Sequence, residues 1–185
     1  MTTVGIILAA GQSRRFGTDN KLLAEYCGKT LCSHAAEAMR KSKVDHHIAC
    51  IADDEVQDHF QGFQCVRCEG GQSDSLKRGV EAAIEKNADQ IVVTLADMPN
   101  ISSGIIDQLL ELPEPIAASF FNDNAPMVPA KFPKSLFDQL KKLKGDQGAR
   151  EILAVSKEIG KVHLTASEIL DIDYATDLNL KSRFV

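Results

Sequence analysis

The chain has 185 residues, 44% of them hydrophobic, and carries 21 Lys and Arg against 26 Asp and Glu for a net charge of −5. That is the size and composition of one globular domain over 1–185, and the acidic balance and lack of any apolar run near the ~20 residues of a membrane span exclude nucleic acid and membrane as expected partners. Five cysteines, an odd number, and a first strand with no basic leader before it fit free thiols in a reducing, cytoplasmic setting.

The first expected element is a buried strand over 4–9, which empties into Ala10-Gly11-Gln12-Ser13-Arg14-Arg15-Phe16-Gly17, with Lys21 four residues on. A strand ending in a glycine loop brings backbone N–H groups against phosphate, and the arginines and lysine add full positive charge. Leu22 follows Lys21 where a P-loop needs Ser or Thr, and Gln12-Ser13 breaks the Gly-x-Gly-x-x-Gly of a dinucleotide site. The combination points to a nucleoside triphosphate; the structural alternative is a plain strand-to-helix loop with solvated arginines.

Helix-like and strand-like stretches then alternate, as in an α/β sheet with covering helices. A helix over 30–41 is apolar at Leu31, Ala35, Ala38 and Met39, and is followed by a strand over 47–52, a short helix over 53–60 and a strand over 63–66. Cys65 and Cys68 are spaced as Cys-x-x-Cys, but residues three apart on a strand face opposite ways, so free thiols are preferred to a zinc site completed by Cys27 and Cys32. Gly70-Gly71-Gln72-Ser73-Asp74-Ser75 opens a helix over 73–85 whose inward face is Leu76, Val80, Ala83 and Ile84. Its N-terminus favours a polar ligand, and Ser73 also suits an N-cap.

Residues 90–95 form a continuous apolar run, as in a central strand covered on both faces. Ala96-Asp97-Met98-Pro99 follows it. A carboxylate at the C-terminal end of a central parallel strand lies where such sheets bind ligands, and a hard cation with phosphate oxygens needs one; capping a turn is the alternative use of Asp97. Beyond Pro99 a helix capped by Ser102 or Ser103 turns Ile105, Ile106, Leu109 and Leu110 inward and stops at Pro113 and Pro115. A strand over 116–121, a turn at Asn122-Asp123-Asn124, an extended stretch over 127–130, an amphipathic stretch over 134–143 and a helix over 147–155 come next. Strands over 162–164 and 170–172 and a short helix over 175–180 end the chain. On that last strand, alternation puts Asp171 and Asp173 on one face, where two like charges want a cation or solvent between them.

Leu8-Ala9-Ala10-Gly11, Ser13, Arg15-Phe16-Gly17 and Lys21 together resemble the signature of nucleotidyltransferases with the glycosyltransferase-A-like fold. Within that superfamily the chain is most similar to the MobA/MocA-like group, which attaches a nucleotide to the molybdenum cofactor. The resemblance implies a Rossmann-like three-layer α/β/α fold with a mostly parallel central sheet. It also implies Mg²⁺-dependent transfer of a nucleoside monophosphate from a nucleoside triphosphate to a phosphorylated acceptor, releasing pyrophosphate.

By the same resemblance, Leu8, Ala9, Ala10, Gly11, Gln12 and Ser13 hold the nucleotide, while Arg15 and Lys21 neutralise its phosphates, Lys21 nearest the α-phosphate. Asp97 binds the metal, joined by Asp173 or Asp171, with Asp173 preferred. Gly70, Gly71, Ser75 and Gly79 contact base and ribose. Gly145-Asp146-Gln147-Gly148-Ala149-Arg150 matches the cytidylyltransferase-like members, so Asp146 and Arg150 either meet the acceptor or serve as a helix cap and a surface residue. Ala10 places a methyl where guanine-using relatives have glycine, and a narrower slot implies a pyrimidine. The implied substrates are CTP and molybdopterin, with a molybdoenzyme or its chaperone as a possible protein partner.

The chain departs from the family pattern at Tyr174 and Ala175, which replace Thr-Pro, and at Asn124-Ala125-Pro126, where relatives carry a polar residue before the proline. The second departure bears on the acceptor. A guanylyltransferase, a transferase acting on a sugar phosphate or methylerythritol phosphate, and a non-catalytic nucleotide-binding protein are the alternatives. A Rossmann oxidoreductase is disfavoured by the glycine spacing.

Overall fold

The computed structural model describes residues 1–11, 16, 20–69, 71–122 and 124–178. Strand β1 (Thr3–Ala9) is buried along its whole length. Its alternation feeds two cores: Val4, Ile6 and Leu8 join one, and Ile7 and Ala9 join the other. After the loop come a single 3-10 turn, Lys21–Leu23, and a small hairpin of β2 (Glu25–Tyr26) and β3 (Lys29–Thr30), turned through positive φ at Cys27 and Gly28. Neither is visible as a sequence pattern, since two- and three-residue elements carry no period.

The remaining strands and α-helices are α1 (Leu31–Lys41), β4 (His46–Ile51), α2 (Asp54–Gln57), β5 (Gln64–Arg67), α3 (Gln72–Glu85), β6 (Gln90–Leu95), α4 (Ser103–Glu111), β7 (Ala117–Phe120), β8 (Met127–Pro133), α5 (Phe137–Lys141), α6 (Ala149–Val155) and β9 (Gly160–His163), with a second 3-10 turn, Lys134–Leu136, leading into α5. The main sheet runs β5-β4-β1-β6-β8-β7-β9. All neighbours pair in parallel except β8, which is antiparallel to both β6 and β7. β7 and β8 are joined by a short loop, and a short loop can only join antiparallel neighbours, whereas the parallel strands need helical crossovers.

Two helical layers cover the sheet. Buried residues of α3, α5 and α6 pack on one face with Ile6, Val93 and Phe132, and those of α1 and α4 pack on the other with Ile7, Ala49 and Val92. This is the expected three-layer α/β/α arrangement with a mostly parallel sheet. All five cysteines are free; Cys68 faces the first core and Cys65 packs against the second. Among the described residues no helix is long and apolar enough to cross a membrane.

The structure corrects the expected elements in four places. Residues 170–172 belong to no strand; Ile172 N–H instead bonds the Asp97 carbonyl at 3.2 Å. The N-cap of α3 is Gly71, because the Ser73 hydroxyl is engaged elsewhere. Ile84 is 40% exposed, and Ala82 takes the inward position beside Ala83. Of the final helix only a 3-10 turn over 175–178 falls within the described residues. Of the two serines offered as the cap of α4, Ser102 is the one used, its hydroxyl accepting from Ile105 N–H.

Candidate active site

The strand order reverses between β1 and β6: the chain leaves β1 towards β4 and β5, then returns to the other side of β1. A crevice opens beyond the carboxyl ends of strands at such a point. Leu8 pairs with Leu95, and Ala96 N–H bonds the Leu8 carbonyl at 3.1 Å. The two strands therefore release Ala10-Gly11 and Asp97 side by side into a cleft of about 590 Å³.

One wall of this cleft is charged. The Asn20 side chain accepts from Leu22 N–H at 3.0 Å and donates to Asp53 Oδ2 at 3.3 Å, which pins the 3-10 turn carrying Lys21. Lys21 is only 7% exposed. Its Nζ lies 2.7 Å from Asp97 Oδ2 and 3.2 Å from Asp173 Oδ1, and donates to the Ile172 carbonyl at 3.0 Å. Burial works to lower the pKa of Lys21, but the charge and hydrogen bond of Asp97, then Asp173 and Asp171, outweigh it and hold the ammonium above its ordinary value.

The acidic tail is fixed from beneath and behind. Ile172 is fully buried with Tyr26 and Leu31, so the carboxylates on either side of it are held at the cleft. Asp177 accepts from Asp173 N–H at 3.0 Å and Tyr174 N–H at 2.7 Å, which closes the turn without the proline that relatives use. Desolvation, then the charge of Asp97, push the Asp171 carboxyl up to about 7 against the pull of Lys21. Asp97, Asp171 and Asp173 each offer an oxygen within 4.8 Å of the others. Asp97 Oδ1 is buried with no hydrogen-bond partner among the described residues. Hard oxygen donors, mutual repulsion and an unsatisfied buried oxygen fit a divalent cation.

The opposite wall is built by backbone. The Ser73 hydroxyl donates to the Gly145 carbonyl at 2.8 Å, and Ser73 N–H reaches the same oxygen at 3.3 Å. A Cβ on Gly71 would stand 3.2 Å from that carbonyl, and one on Gly148 would stand 2.9 Å from the Gln72 amide. The turn bearing Asp146 is thus clipped onto the N-terminus of α3, and glycine is what allows the approach. Gly145 itself has φ of +60°, a conformation that disfavours a side chain.

Of the residues proposed from sequence, Leu8, Ala9, Ala10 and Gly11 line the cleft, as do Lys21, Asp97 and Asp173. Gly71, Ser75 and Asp146 line it from the other side. Asp171 completes the acidic cluster. Arg150 is exposed on the first turn of α6, and its charge reaches Asp171. Gly79 is different: it is buried two turns into α3, where a Cβ would meet Ile6 Cγ2 at 2.8 Å and Cys50 Sγ at 2.9 Å. Helix-to-sheet packing is enough to require that glycine. Gln12, Ser13, Arg15 and Gly70 lie outside the described residues. Sequence reasoning missed Leu22, Leu95, Gln72 and Gly145 as lining residues. The last two lie inside motifs already singled out, so their position in those motifs was the available signal.

A family model described as MobA-like NTP transferase domain matches residues 5–162. The purine catabolism protein PucB of Bacillus subtilis is 34% identical over 165 residues, covering 81% of this chain and 80% of that protein. A probable molybdenum cofactor guanylyltransferase of Thermococcus sibiricus is 35% identical over 114 residues, 58% of this chain and 54% of that one. Among solved structures, Rv0371c of Mycobacterium tuberculosis superposes with a TM-score of 0.87 at 23% identity over the whole of both chains, a likeness of fold. That mycobacterial protein has also been solved in complex with manganese.

Proposed function

Because the chain belongs to the MobA-like NTP transferase domain family and is a nucleotidyltransferase, we propose that it moves the nucleoside monophosphate of CTP to a phosphorylated small-molecule acceptor. The observation that carries this reading is a buried ammonium, Lys21 Nζ, placed among three carboxylates where β1 and β6 open into the cleft. An acceptor phosphate oxygen bonds to the α-phosphorus while the bond to the bridging oxygen breaks in line. The electron pair leaves with pyrophosphate. The attacking oxygen is already anionic, so no side chain has to remove its proton, which fits a cleft lined by neither His nor Cys among the described residues.

The chain's task is then positioning and charge. Backbone at Ala10 and Gly11 receives the phosphates as they enter, with Gln12, Ser13 and Arg15 assigned to the same stretch. Lys21 takes the negative charge that grows around the α-phosphoryl and leaving oxygens. A divalent ion, Mg²⁺ by preference, held by Asp97 and Asp173 with Asp171 beside them, would supply further positive charge at the phosphates. The Gly71–Ser75 segment takes base and ribose, and Asp146 on its clipped turn faces the acceptor, with Arg150 as its outer neighbour.

Ala10 supports the base choice: it lines the cleft and is 6% exposed, so its methyl narrows the slot. The acceptor we assign first is the pterin phosphate of the molybdenum cofactor, on the strength of the Thermococcus relative's name. That name also supports a second reading, GTP in place of CTP. The Bacillus relative's name gives a pathway and no acceptor.

Calorimetry of CTP, GTP, UTP and ATP with Mg²⁺ tests the reading. CTP should bind at least about tenfold more tightly than the others, roughly 1.4 kcal/mol. Tighter GTP overturns the base choice alone. No binding of any nucleotide overturns the catalytic reading.

A further inference from the structure

Lys21 lies in the place a metal would be expected to fill. Its ammonium touches carboxylate oxygens of Asp97 and Asp173, two of the three groups whose oxygens come within 4.8 Å of one another. Its third contact, the Ile172 carbonyl, is also a hard oxygen. The ammonium is therefore held by an all-oxygen set of the kind that suits a divalent ion. A second cation among the same oxygens would stand within a few ångströms of the buried first, close enough for strong repulsion.

We infer that Lys21 is the resident cation of this acidic cluster and competes with the divalent ion for it, so that the ion binds tightly only when nucleotide phosphates draw the ammonium away. The inference rests on the nucleotidyltransferase reading of the site and adds an order to it. Three features support the exchange. The backbone of Lys21 is fixed, because Ala24 N–H bonds its carbonyl at 3.1 Å and Asn20 caps the turn, so only the four-carbon stem has to move. Lys21 lines the cleft by which phosphate would arrive. Asp97 Oδ1 finds no partner among the described residues while Lys21 is engaged at Oδ2, so the cluster has coordinating capacity that the ammonium does not use. The consequence is economy of charge: the cluster is partly neutralised without ligand, and the same lysine becomes available to the α-phosphate when the metal replaces it.

The test uses the full chain and Mn²⁺ alone as probe, with free Mn²⁺ read by electron paramagnetic resonance. The wild type should take up Mn²⁺ weakly, and Lys21→Ala should take it up at least about tenfold more tightly. Arg150→Ala removes a charge that also acts on Asp171 but touches neither Asp97 nor Asp173 in the described contacts; it should change the affinity less than about threefold. If Lys21→Ala binds Mn²⁺ no more tightly than the wild type, or if Arg150→Ala gains as much, direct competition is overturned. Circular dichroism checks that the variants fold. Should Lys21→Ala not fold, the wild type decides: half-saturation by Mn²⁺ alone at a concentration no higher than with CTP present overturns the inference. Failure of the underlying reading looks different. In that case neither the wild type nor Lys21→Ala binds Mn²⁺, with or without CTP, and the metal assignment falls together with this inference.

Discussion

The two walls of the cleft are built by opposite means. On the Lys21 side, charged side chains from three distant segments meet, and each is held by the others. On the Gly71–Gly145 side, Asp146 is the one charged residue lining the cleft among the described residues, and the wall exists because two backbones approach at glycines. The first wall can respond to a ligand, since an ammonium and carboxylates on mobile side chains can exchange partners with an arriving ion or phosphate. The second cannot respond in that way. Its shape is set by steric contact, which tolerates shifts of a few tenths of an ångström and no more. On the proposed function, the first wall carries the chemistry and the second sets what fits.

Asp97→Asn is the largest break of the charged wall. It keeps the shape and removes the charge that holds Lys21 and that we assign to the metal, so metal-dependent turnover should fall at least about a hundredfold. Steady-state rates at several Mg²⁺ concentrations measure it. Unchanged magnesium dependence would remove Asp97 from the metal site.

Gly79→Ala separates the glycines of the site from those of the fold. The added methyl meets Ile6 and Cys50 in the core, and overpacking of this kind costs about 1–3 kcal/mol. Denaturant unfolding should show that loss while the CTP dissociation constant stays the same. A weakened CTP affinity in folded protein would return Gly79 to the binding site.

Gly148→Ala acts on the steric wall. The new methyl moves the Gln72 amide, the far end of a flexible side chain, so stability should hardly change. The shape of the nucleotide end should change, weakening CTP by a few-fold, about 1 kcal/mol, with Mn²⁺ uptake unaltered. A change in Mn²⁺ uptake would mean that the two walls are coupled.

The smallest effect lies outside the cleft. On the exposed face of α1, hydrogen bonds and charge from Lys29 and Lys41 lower the Glu37 carboxyl to about 2 from 4.5. A depressed carboxyl favours the folded state above its unfolded pKa, and that contribution fades as pH falls from about 4.5 to about 2. Unfolding of Glu37→Gln against wild type should differ slightly at pH 7 and converge at the acid end. Both partners are solvated, so the difference should shrink in high salt.

The sequence by itself determined the parts whose cause is local. β1 and β6 are apolar runs, and the residues next along the chain, Ala10-Gly11 after one and Asp97 after the other, are held at the strand ends by connectivity. A covered parallel sheet with those two strands side by side then places both at one crevice. The same locality explains what failed. Alternation at 170–172 looks like a strand, yet a strand exists only with a partner, and there the backbone bonds Asp97 instead. Gly79 lies in a motif with Gly71, yet one glycine meets a turn and the other meets the core.

Only the tertiary structure decided which charges share a space. Lys21 and Ile172 are 151 positions apart, and Ser73 and Gly145 are 72 apart, so no spacing in the sequence records either contact. The lysine reads from sequence as a cation for phosphate. That it rests against the acidic cluster comes in part from burying Ile172 with Tyr26 and Leu31, which carries Asp173 to it. Electrostatic energy depends on distance through space and on desolvation, and the folded chain alone sets both.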